Sequence, residues 1–523
     1  MKDAEDFKDG AEKHLGGDLM NLAATSLEYQ AIRRPDKTAV VFGEKGYSYS
    51  LLNAEANKVA NAFVSLGVEK GDRVSMWLPN CLEFITSFYG ILKVGGVVVP
   101  MNILFKAREI EYLLSNSEAK VLITMAPCLD TVRQVRNKLP ALEKVIAIGL
   151  EDHAADVLSF EKWIGLFSEN FFSIDLSLDD TATILYTSGT TGNPKGAMLT
   201  HRNLYMNAEY YAEGLGANEN WVGICLLPLS HLLSLAAGQF VLFGRGATLH
   251  VMERFVAEQA AMIIARHKIN YTFAVPTVYA TFLNLSDEPQ YDLSSLEVCI
   301  TTGSMTPLDL RNRFEEKYNC TTIQAYGQVE SSPVITMDRL DWPRKFKSVG
   351  YPLPHIEVKI VDDDDHTLPP NTHGEICCRG HCVMKGYWKN PEGTAEAIKD
   401  GWLHTGDIGM IDEDGYVYIF DRKKDMIICG GYNIYAIEIE NLLYENPKVL
   451  EASVVAVPDE RLGEIPKAYI VLKPGETATE QEIMDYVKER LAAYKKLRAV
   501  EFMEALPKGP TGKILRRALR ERA

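Results

Sequence analysis

The residues with the clearest chemical potential form one short loop, Thr187–Gly196, with the sequence TSGTTGNPKG. The loop combines glycine, serine and threonine with a single cation, Lys195. A β-type run, ATILY, precedes it, and AMLTHRNL, which has helical character, follows. A strand, a loop and a helix in this order direct backbone N–H groups and hydroxyls toward a polyphosphate. The loop therefore predicts a phosphate-binding site.

This loop differs from the P-loop of nucleoside triphosphatases. That motif requires G-x-x-x-x-G-K followed by Ser or Thr, whereas Gly192 lies only three residues before Lys195, and Gly196 follows the lysine. For a shorter string such as GTTG, a connection that binds no ligand is the alternative. The full string YTSGTTGNPKG resembles the signature loop of the adenylate-forming superfamily, which contains acyl-CoA synthetases, aryl-CoA ligases, firefly-type luciferases and peptide-synthetase adenylation domains. The resemblance assigns nucleotide binding to Thr187, Ser188, Gly189, Thr190, Thr191 and Lys195, and a catalytic role to Thr187 as well.

A second string, YGQVE, ends at Glu330 and resembles the Y-G-x-T-E motif of the same superfamily. The resemblance implies that Tyr326 packs on adenine and that Glu330 is a catalytic residue that holds Mg²⁺ beside the phosphates. A carboxylate suits this role because Mg²⁺ prefers oxygen ligands. Val329 replaces the usual threonine, so a hydroxyl expected near the phosphates is missing. Ala325 and Gly327 join the predicted nucleotide-binding residues.

The superfamily's ribose-binding and hinge residues also have counterparts here. Thr405-Gly406-Asp407 resembles the T-G-D motif, whose aspartate accepts hydrogen bonds from both ribose hydroxyls. Arg422 matches the arginine that reaches the ribose and phosphates. Arg422 lies in DRKKD, a run of charges otherwise typical of a solvated face. Lys424, in the same run, falls on the hinge position, where a few residues absorb the φ/ψ change as the small domain turns.

Near the chain end, PKGPTGK resembles the C-terminal P-K-x-x-x-G-K element. The resemblance implies that its last residue, Lys513, is catalytic and bridges the substrate carboxylate and the α-phosphate of ATP. Two anions must meet at phosphorus, and a cation between them lowers their repulsion in the transition state. An isolated lysine is normally solvated, so this prediction depends on the surrounding motif.

Three further segments carry weaker resemblances. LPLSH ends at His231 and resembles the stretch whose histidine lines the acyl pocket, although a histidine satisfied within the core is the alternative. Gly303 and Ser304 lie where relatives have a small-residue turn beside adenine and the acyl chain, so Gly303 is predicted for both sites. The residues predicted to bind coenzyme A share the family position that lines the pantetheine tunnel: Gly430, Gly431 and Tyr432.

Strand-type and helical runs alternate before and after the loop, as in Arg73–Leu78 and Phe84–Val94. This alternation predicts an α/β fold with largely parallel sheets, in two similar layered subdomains at about 38–175 and 176–340. Short β-type runs separated by turns begin at Pro352 and predict a small, β-barrel-like subdomain.

The chain, with 523 residues, is too long for one hydrophobic core, so two or more domains are expected. A unit with its own helices and strands follows the DRKKD run. The predicted domains are 1–421, which binds ATP and the acyl group, and 422–523, a small mobile α+β cap.

Composition narrows the classes of partner. The formal net charge of −16 argues against nucleic acid, because no basic surplus is available to hold phosphates. The nine cysteines are an odd number scattered through a long chain, which favours reduced thiols in the cytoplasm, and residues 1–20 lack the apolar core of a signal peptide. Cys377, Cys378 and Cys382 fit no zinc-ligand spacing and are better explained by a strand.

One stretch challenges the soluble interpretation. Trp221–Phe243 contains no Asp, Glu, Lys or Arg and is long enough to cross a bilayer. Pro228 and several polar residues interrupt it, so a strand, a loop and a buried helix are predicted instead of an integral membrane segment. The stretch would then form an apolar wall of the acid pocket.

Together these observations predict an ATP-dependent acyl-CoA ligase that uses ATP, Mg²⁺ and coenzyme A. The run from MKGYWKNPEG to DRKKDMIICGGYNIY is most similar to bacterial fatty acyl-CoA synthetases, which favours a medium- or long-chain fatty acid. An alicyclic or aryl acid and a luciferase-like oxygenase are alternatives, as is a nucleotide-binding homologue without catalysis. Intact Lys513, Glu330 and Asp407 argue against the last of these. A homodimer is left open.

Overall fold

The computed structural model of the protein describes residues 21–154, 156–187, 194–285, 291–345, 347–423, 425–429, 432–509 and 514–522. Within these ranges the strands form four sheets, named here A to D, and helices pack against them. The α-helices are Tyr29–Arg33, Tyr49–Ser65, Leu82–Lys93, Ala107–Ser117, Leu129–Val135, Phe160–Ile164, His201–Gly214, Val241–Arg245, Ala257–His267, Pro276–Leu283, Leu308–Tyr318, Pro391–Ala397, Ala436–Tyr444, Glu480–Lys488 and Arg516–Arg522. Two π-helical segments, Ala24–Glu28 and Ser234–Phe240, and four 3-10 turns, Ala126–Cys128, Arg136–Lys138, Val329–Ser331 and Ala493–Lys495, complete the helical elements of these ranges.

Sheet A has nine strands and sheet B has eight. From edge to edge, sheet A contains Tyr351–Pro352, Thr336–Met337, Thr321–Tyr326, Val298–Thr301, Tyr271–Ala274, Val222–Cys225, Thr248–Val251, Thr38–Phe42 and Lys45–Ser48. Sheet B contains Gly386–Tyr387, Lys195–Thr200, Thr181–Thr187, Val97–Met101, Arg73–Trp77, Val121–Met125, Lys144–Ile148 and Val157–Ser159. The inner strands of both sheets are parallel, and antiparallel pairs occur only toward the edges.

Helices cover these sheets, which explains why their strands read as continuous apolar runs rather than as alternating ones. Strand Val97–Met101 is buried along its whole length, and the neighbouring helix Leu82–Lys93 is buried on nearly every side. The predicted α/β class with layered, largely parallel sheets is therefore confirmed.

The predicted limits of the two subdomains, 38–175 and 176–340, are wrong. Strand Thr38–Phe42 pairs with Thr248–Val251 and so belongs to sheet A, whereas Thr181–Thr187 pairs with Val97–Met101 in sheet B. Each sheet thus takes strands from both halves of this region. Local periodicity identifies a strand but carries no information about its long-range pairing partner.

The uncharged stretch after Trp221 forms strand Val222–Cys225, a turn, the π-helical segment Ser234–Phe240 and helix Val241–Arg245. Its apolar side chains lie in the main core, as the strand, loop and buried helix of the prediction required. Among the residues that the structure describes, no helix combines the length and apolar character needed to cross a bilayer.

The β-rich region after Pro352 forms sheet C, an antiparallel sheet. Its strands are Ile356–Val361, Gly374–Gly380, Trp402–Ile411, Ile398–Lys399 and Val417–Arg422. The four aspartates Asp362–Asp365 lie in the turn after its first strand, where the last three are exposed.

Sheet D lies in the C-terminal unit. Its strands are Tyr432–Ile434, Ile427–Cys429, Gly463–Leu472, Val449–Asp459 and Ala499–Phe502. Helices Ala436–Tyr444 and Glu480–Lys488 contribute to a buried cluster that starts at Ile427, whereas the main core ends at Val417. The boundary at about residue 422 stays a prediction, and this gap between the two cores supports it.

Candidate functional site

The glycine-rich loop connects two antiparallel strands of sheet B. Thr187 ends one strand and pairs with Lys195, which begins the next. The predicted order of strand, loop and helix is therefore wrong in one respect, because strand Lys195–Thr200 comes before the helix. That helix begins at His201, and the Thr200 side chain caps it by accepting from the Asn203 N–H at 3.1 Å. The predictions for Ser188, Gly189, Thr190 and Thr191 lie outside the described residues.

One end of this loop contacts Glu330 directly, and the other end contacts Tyr387, which itself contacts Glu330. The Thr187 hydroxyl donates to Glu330 Oε1 at 3.2 Å, and the Tyr387 hydroxyl donates to the same oxygen at 2.9 Å. The Lys195 ammonium lies over the Tyr387 ring, 5.0 Å from its centroid. A carboxylate, a hydroxyl and a cation are thus held together where the loop leaves and re-enters the sheet.

Glu330 is 8% exposed and lies on a 3-10 turn that follows strand Thr321–Tyr326. Its carboxylate and the Thr187 hydroxyl are oxygen donors of the kind that Mg²⁺ prefers. These residues therefore fit the predicted role of a Mg²⁺ site beside phosphates.

A second cluster forms around Asp407, which is 5% exposed. The Tyr326 hydroxyl donates to Asp407 Oδ2 at 2.8 Å, and Arg422 Nε lies 2.7 Å from Oδ1. Burial and the Asp407 carboxylate raise the pKa of Tyr326 well above its usual value, so the phenol remains a donor at neutral pH. The same carboxylate raises the pKa of Arg422.

The T-G-D segment lies within strand Trp402–Ile411 and is tied to the neighbouring strand of sheet C, Gly374–Gly380. The Thr405 hydroxyl donates to the Ile376 carbonyl at 2.7 Å, and the Gly406 N–H donates to Glu375 Oε1 at 3.0 Å. Gly406 has φ of +71°, in the left-handed region that glycine adopts without strain. The strand therefore presents Asp407 from a fixed backbone.

One strand of sheet A links the two clusters, because Tyr326 and Glu330 are four residues apart at its end. Between them, a Cβ on Gly327 would lie 1.9 Å from the Pro333 carbonyl oxygen. Only glycine fits this close approach of two backbones. The structure thus brings together the predicted residues Thr187, Lys195, Tyr326, Gly327, Glu330, Asp407 and Arg422.

The predicted small-residue turn is joined to the same strand by Gln324. Its amide nitrogen donates to the Ser304 carbonyl at 3.3 Å, and its amide oxygen accepts from the Thr306 N–H at 3.1 Å. Gly303 has φ of +84°, and Ala325 is buried in the strand. The turn therefore lies next to the strand that carries Tyr326.

His231 is half-buried in the turn before the π-helical segment Ser234–Phe240, where its Nδ1 accepts from the Leu233 N–H at 3.3 Å. Its role in acyl binding stays a prediction. The predicted residues Lys424, Gly430, Gly431 and Lys513 lie outside the described residues, and Tyr432 is described only as the first backbone position of its strand.

The described residues on either side of Lys513 make several contacts. The Leu515 N–H donates to the Pro507 carbonyl at 2.8 Å, and Arg516 forms ion pairs with Asp421 at 2.8 Å and Glu440 at 2.6 Å. Asp421 directly precedes the proposed ribose-binding arginine. The C-terminal helix is thus anchored to Asp421 and Glu440.

Sequence reasoning missed three residues of this region: Tyr387, Glu375 and Arg516. Tyr387 lies in the MKGYWKNPEG string, which drew attention only through its similarity to fatty acyl-CoA synthetases. Its hydroxyl meets Glu330 only because strand Gly386–Tyr387 pairs with the strand after the loop. No local spacing could have identified that contact.

Comparison with known proteins agrees with this geometry. The model of the AMP-binding enzyme family matches residues 27–388, and that of the AMP-binding enzyme C-terminal domain matches residues 438–513. The chain belongs to the AMP-binding enzyme family. It is an AMP-forming acid–thiol ligase that uses ATP and coenzyme A to convert an acyl or aryl carboxylic acid into a thioester.

Three similar proteins represent the range of relatives. The long-chain-fatty-acid–CoA ligase of Bacillus subtilis (strain 168) is 37% identical over 522 residues, which cover 94% of this chain and 92% of the relative. 4-Coumarate–CoA ligase 1 of Petroselinum crispum is 34% identical, with 93% and 91% covered. The crystal structure of the anthranilate CoA ligase AuaEII in complex with anthranoyl-AMP has a TM-score of 0.92 and 32% identity, with 97% and 98% covered.

Proposed function

We propose that this member of the AMP-binding enzyme family is a fatty acyl-CoA ligase whose substrate is a medium- or long-chain fatty acid. The assignment of a fatty acid substrate depends on the uncharged stretch that ends at Phe243. This stretch contributes a strand and a buried helical segment to the main core. Such a stretch supplies an apolar wall for an alkyl chain and no cation for a second carboxylate. Similarity to the long-chain-fatty-acid–CoA ligase supports the same class.

In the first half-reaction the fatty acid carboxylate attacks the α-phosphorus of ATP, and an acyl-adenylate and pyrophosphate form. Asp407 and Arg422 hold the ribose, and Tyr326 supports Asp407 through its hydroxyl while its ring packs on adenine. The hydroxyls and backbone N–H groups of the glycine-rich loop, with Lys195, bind the phosphates. These contacts orient the α-phosphate toward the acid.

Glu330, with the Thr187 hydroxyl beside it, would hold Mg²⁺ at the phosphates. When held there, the ion would supply positive charge to offset the charge on the phosphate oxygens. Lys513 supplies a second positive charge between the carboxylate and the α-phosphate, and this charge lowers the repulsion between the two anions. Removal of the Lys513 side chain should therefore impair adenylation more than thioester formation.

In the second half-reaction the small domain turns about Lys424, and the thiolate of coenzyme A displaces AMP from the adenylate. Gly430, Gly431 and Tyr432 would line the tunnel that admits the pantetheine arm. The acyl–phosphate anhydride reacts readily because AMP is a better leaving group than hydroxide. The thioester and AMP are the products.

An aryl acid is the second candidate substrate. Similarity to 4-coumarate–CoA ligase 1 and to the anthranilate CoA ligase favours it, since both cover nearly the whole chain. An apolar wall accommodates an aromatic ring as well as an alkyl chain. The two classes differ in the length and width of the pocket that they require.

Pyrophosphate release measured against a panel of acids tests the proposal. The panel contains saturated fatty acids of increasing chain length, coumarate, anthranilate and an alicyclic acid, each with and without coenzyme A. We expect release to depend on the acid, with the highest kcat/KM for a medium- or long-chain fatty acid. A clear preference for an aryl acid would refute the fatty acid assignment, and release that depends on no acid would favour a nucleotide-binding protein without ligase activity.

A further inference from the structure

We propose that Tyr387 is a positioning residue for the phosphate-binding groups of this site: its hydroxyl aims the Glu330 carboxylate and its ring seats the Lys195 ammonium. The inference rests on the proposed function, in which Glu330 holds Mg²⁺ and Lys195 meets the phosphates. It concerns a residue that no motif of the sequence singled out. One aromatic side chain would then set the relative position of the anion and the cation that face ATP.

The two carboxylate oxygens of Glu330 differ in the number of hydrogen bonds that they accept. Thr187 and Tyr387 both donate to Oε1, at 3.2 Å and 2.9 Å. Among the described residues, no hydrogen bond reaches Oε2. A carboxylate whose one oxygen is fixed by two hydroxyls presents the other in a defined direction, which suits a ligand to a cation.

The Tyr387 side chain can perform this role because its backbone is fixed beside the loop. Gly386–Tyr387 pairs antiparallel with Ala197 and Met198, which lie two and three residues after Lys195. The Tyr387 N–H also donates to the Thr394 hydroxyl at 2.9 Å. The ring therefore keeps a constant distance from the strand on which Lys195 lies.

The chemistry of the phenol suits a permanent donor. The Tyr387 hydroxyl carries one proton, which it donates to Glu330 Oε1. The ring face attracts the Lys195 ammonium, whose nitrogen lies 5.0 Å from the centroid. The hydroxyl and the ring thus have separable functions.

Two substitutions separate these functions. Tyr387→Phe keeps the ring over Lys195 and removes only the bond to Glu330, whereas Tyr387→Leu removes both. Tyr418→Phe is the matched control, because it also deletes a hydroxyl that donates to a carboxylate, Asp412 Oδ2 at 3.0 Å, on a hairpin of sheet C. Glu330→Gln serves as the reference for loss of the carboxylate itself.

The readout is binding rather than turnover. Mn²⁺ is used in place of Mg²⁺. Its binding in the presence of α,β-methylene-ATP is followed by electron paramagnetic resonance of the free ion. Binding of the metal-free analogue is measured separately by calorimetry. Loss of a hydrogen bond to a charged group should weaken Mn²⁺ binding to Tyr387→Phe by about tenfold. Affinity for the metal-free analogue should stay at the wild-type value. Tyr387→Leu should weaken binding of both, and Tyr418→Phe neither.

Three results of these binding measurements would contradict the proposed role of Tyr387. Wild-type Mn²⁺ affinity in Tyr387→Phe, together with a loss in Glu330→Gln, would overturn the role of Tyr387 and leave that of Glu330 intact. Wild-type Mn²⁺ affinity in Glu330→Gln would overturn the metal-binding role of Glu330 and this inference with it. An equal loss of metal and metal-free nucleotide binding in Tyr387→Phe would mean that the hydroxyl only maintains the fold, which also contradicts the proposal.

Discussion

Replacement of Asp407 by asparagine tests the ribose site most directly. A carboxylate has about four lone-pair positions. Among the described residues, the hydrogen bond from Tyr326 uses one position on Oδ2 and the ion pair with Arg422 uses one on Oδ1. One position therefore remains on each oxygen, which matches the two vicinal hydroxyls of a ribose. Asparagine keeps the shape but turns one oxygen into a donor.

The size of the effect follows from these two bonds. A hydrogen bond to a charged group contributes about 1.5–3 kcal/mol. Asp407→Asn should lose one such bond and weaken the other, so kcat/KM for ATP should fall by about 100-fold, or roughly 3 kcal/mol. The side chain is 7% exposed, so water cannot replace the lost acceptor without rearrangement.

The assay compares ATP with 2′-deoxy-ATP in the wild type and in the variant, by pyrophosphate release with a saturating acid. The wild type should prefer ATP by at least about tenfold, because the deoxy analogue lacks one of the two donors. In Asp407→Asn this preference should nearly disappear. An unchanged preference in the variant would show that Asp407 does not bind the 2′-hydroxyl, and the reasoning would be refuted.

Further predictions concern catalysis, packing and pH. Lys513→Ala should impair adenylation more than thioester formation from supplied acyl-adenylate, and Lys424→Pro should show the reverse; equal losses in the two half-reactions, measured separately, would contradict these roles. Gly327→Ala should lower the melting temperature, because its Cβ would lie 1.9 Å from a backbone carbonyl oxygen; overpacking costs about 1–3 kcal/mol. Gly244→Ala, with no atom within 4 Å of the new Cβ, is the control and should be neutral or stabilising. Burial lowers the pKa of His201 to about 4, from 6.5 in the unfolded chain. Between pH 6.5 and 4 this histidine is protonated in the unfolded chain and neutral in the folded protein. The free energy of unfolding should therefore fall by up to about 3 kcal/mol as the pH drops from 6.5 to 4. The His201 Nδ1 accepts from the Leu22 N–H at 3.1 Å, and asparagine can accept the same bond. His201→Asn should therefore make stability less dependent on pH in urea titrations, and an unchanged dependence would exclude His201 as its source.

Much of the fold could be predicted because its signals are local. The apolar run Arg73–Leu78 predicts strand Arg73–Trp77, and the helical spacing of Phe84–Val94 predicts helix Leu82–Lys93. Polar residues interrupt the uncharged stretch that ends at Phe243, which argues against a membrane span and predicts a strand, a loop and a buried helix. In each case the residue pattern within one element decides the outcome.

The assignment of strands to sheets could not be predicted in the same way. Thr38–Phe42 lies beside Thr248–Val251, although the two are separated by most of sheet B in sequence. The energy of such a pair comes from hydrogen bonds and packing between distant segments, and these leave no signature in either segment alone. The short strand after the loop was missed for a related reason, because KGAMLT gains its β-structure from pairing with Thr181–Thr187.

For the site, the amino-acid sequence was sufficient to name the chemically distinctive residues, since a glycine-rich loop, Glu330 and Asp407 stand in motifs that each require a particular side chain. Tertiary structure alone decided which of them touch and which partners orient them. Tyr387 reaches Glu330, and Tyr326 reaches Asp407, across gaps of 57 and 81 residues. A hydrogen bond depends on the distance and direction between two atoms in space, and chain folding, not residue spacing, determines both.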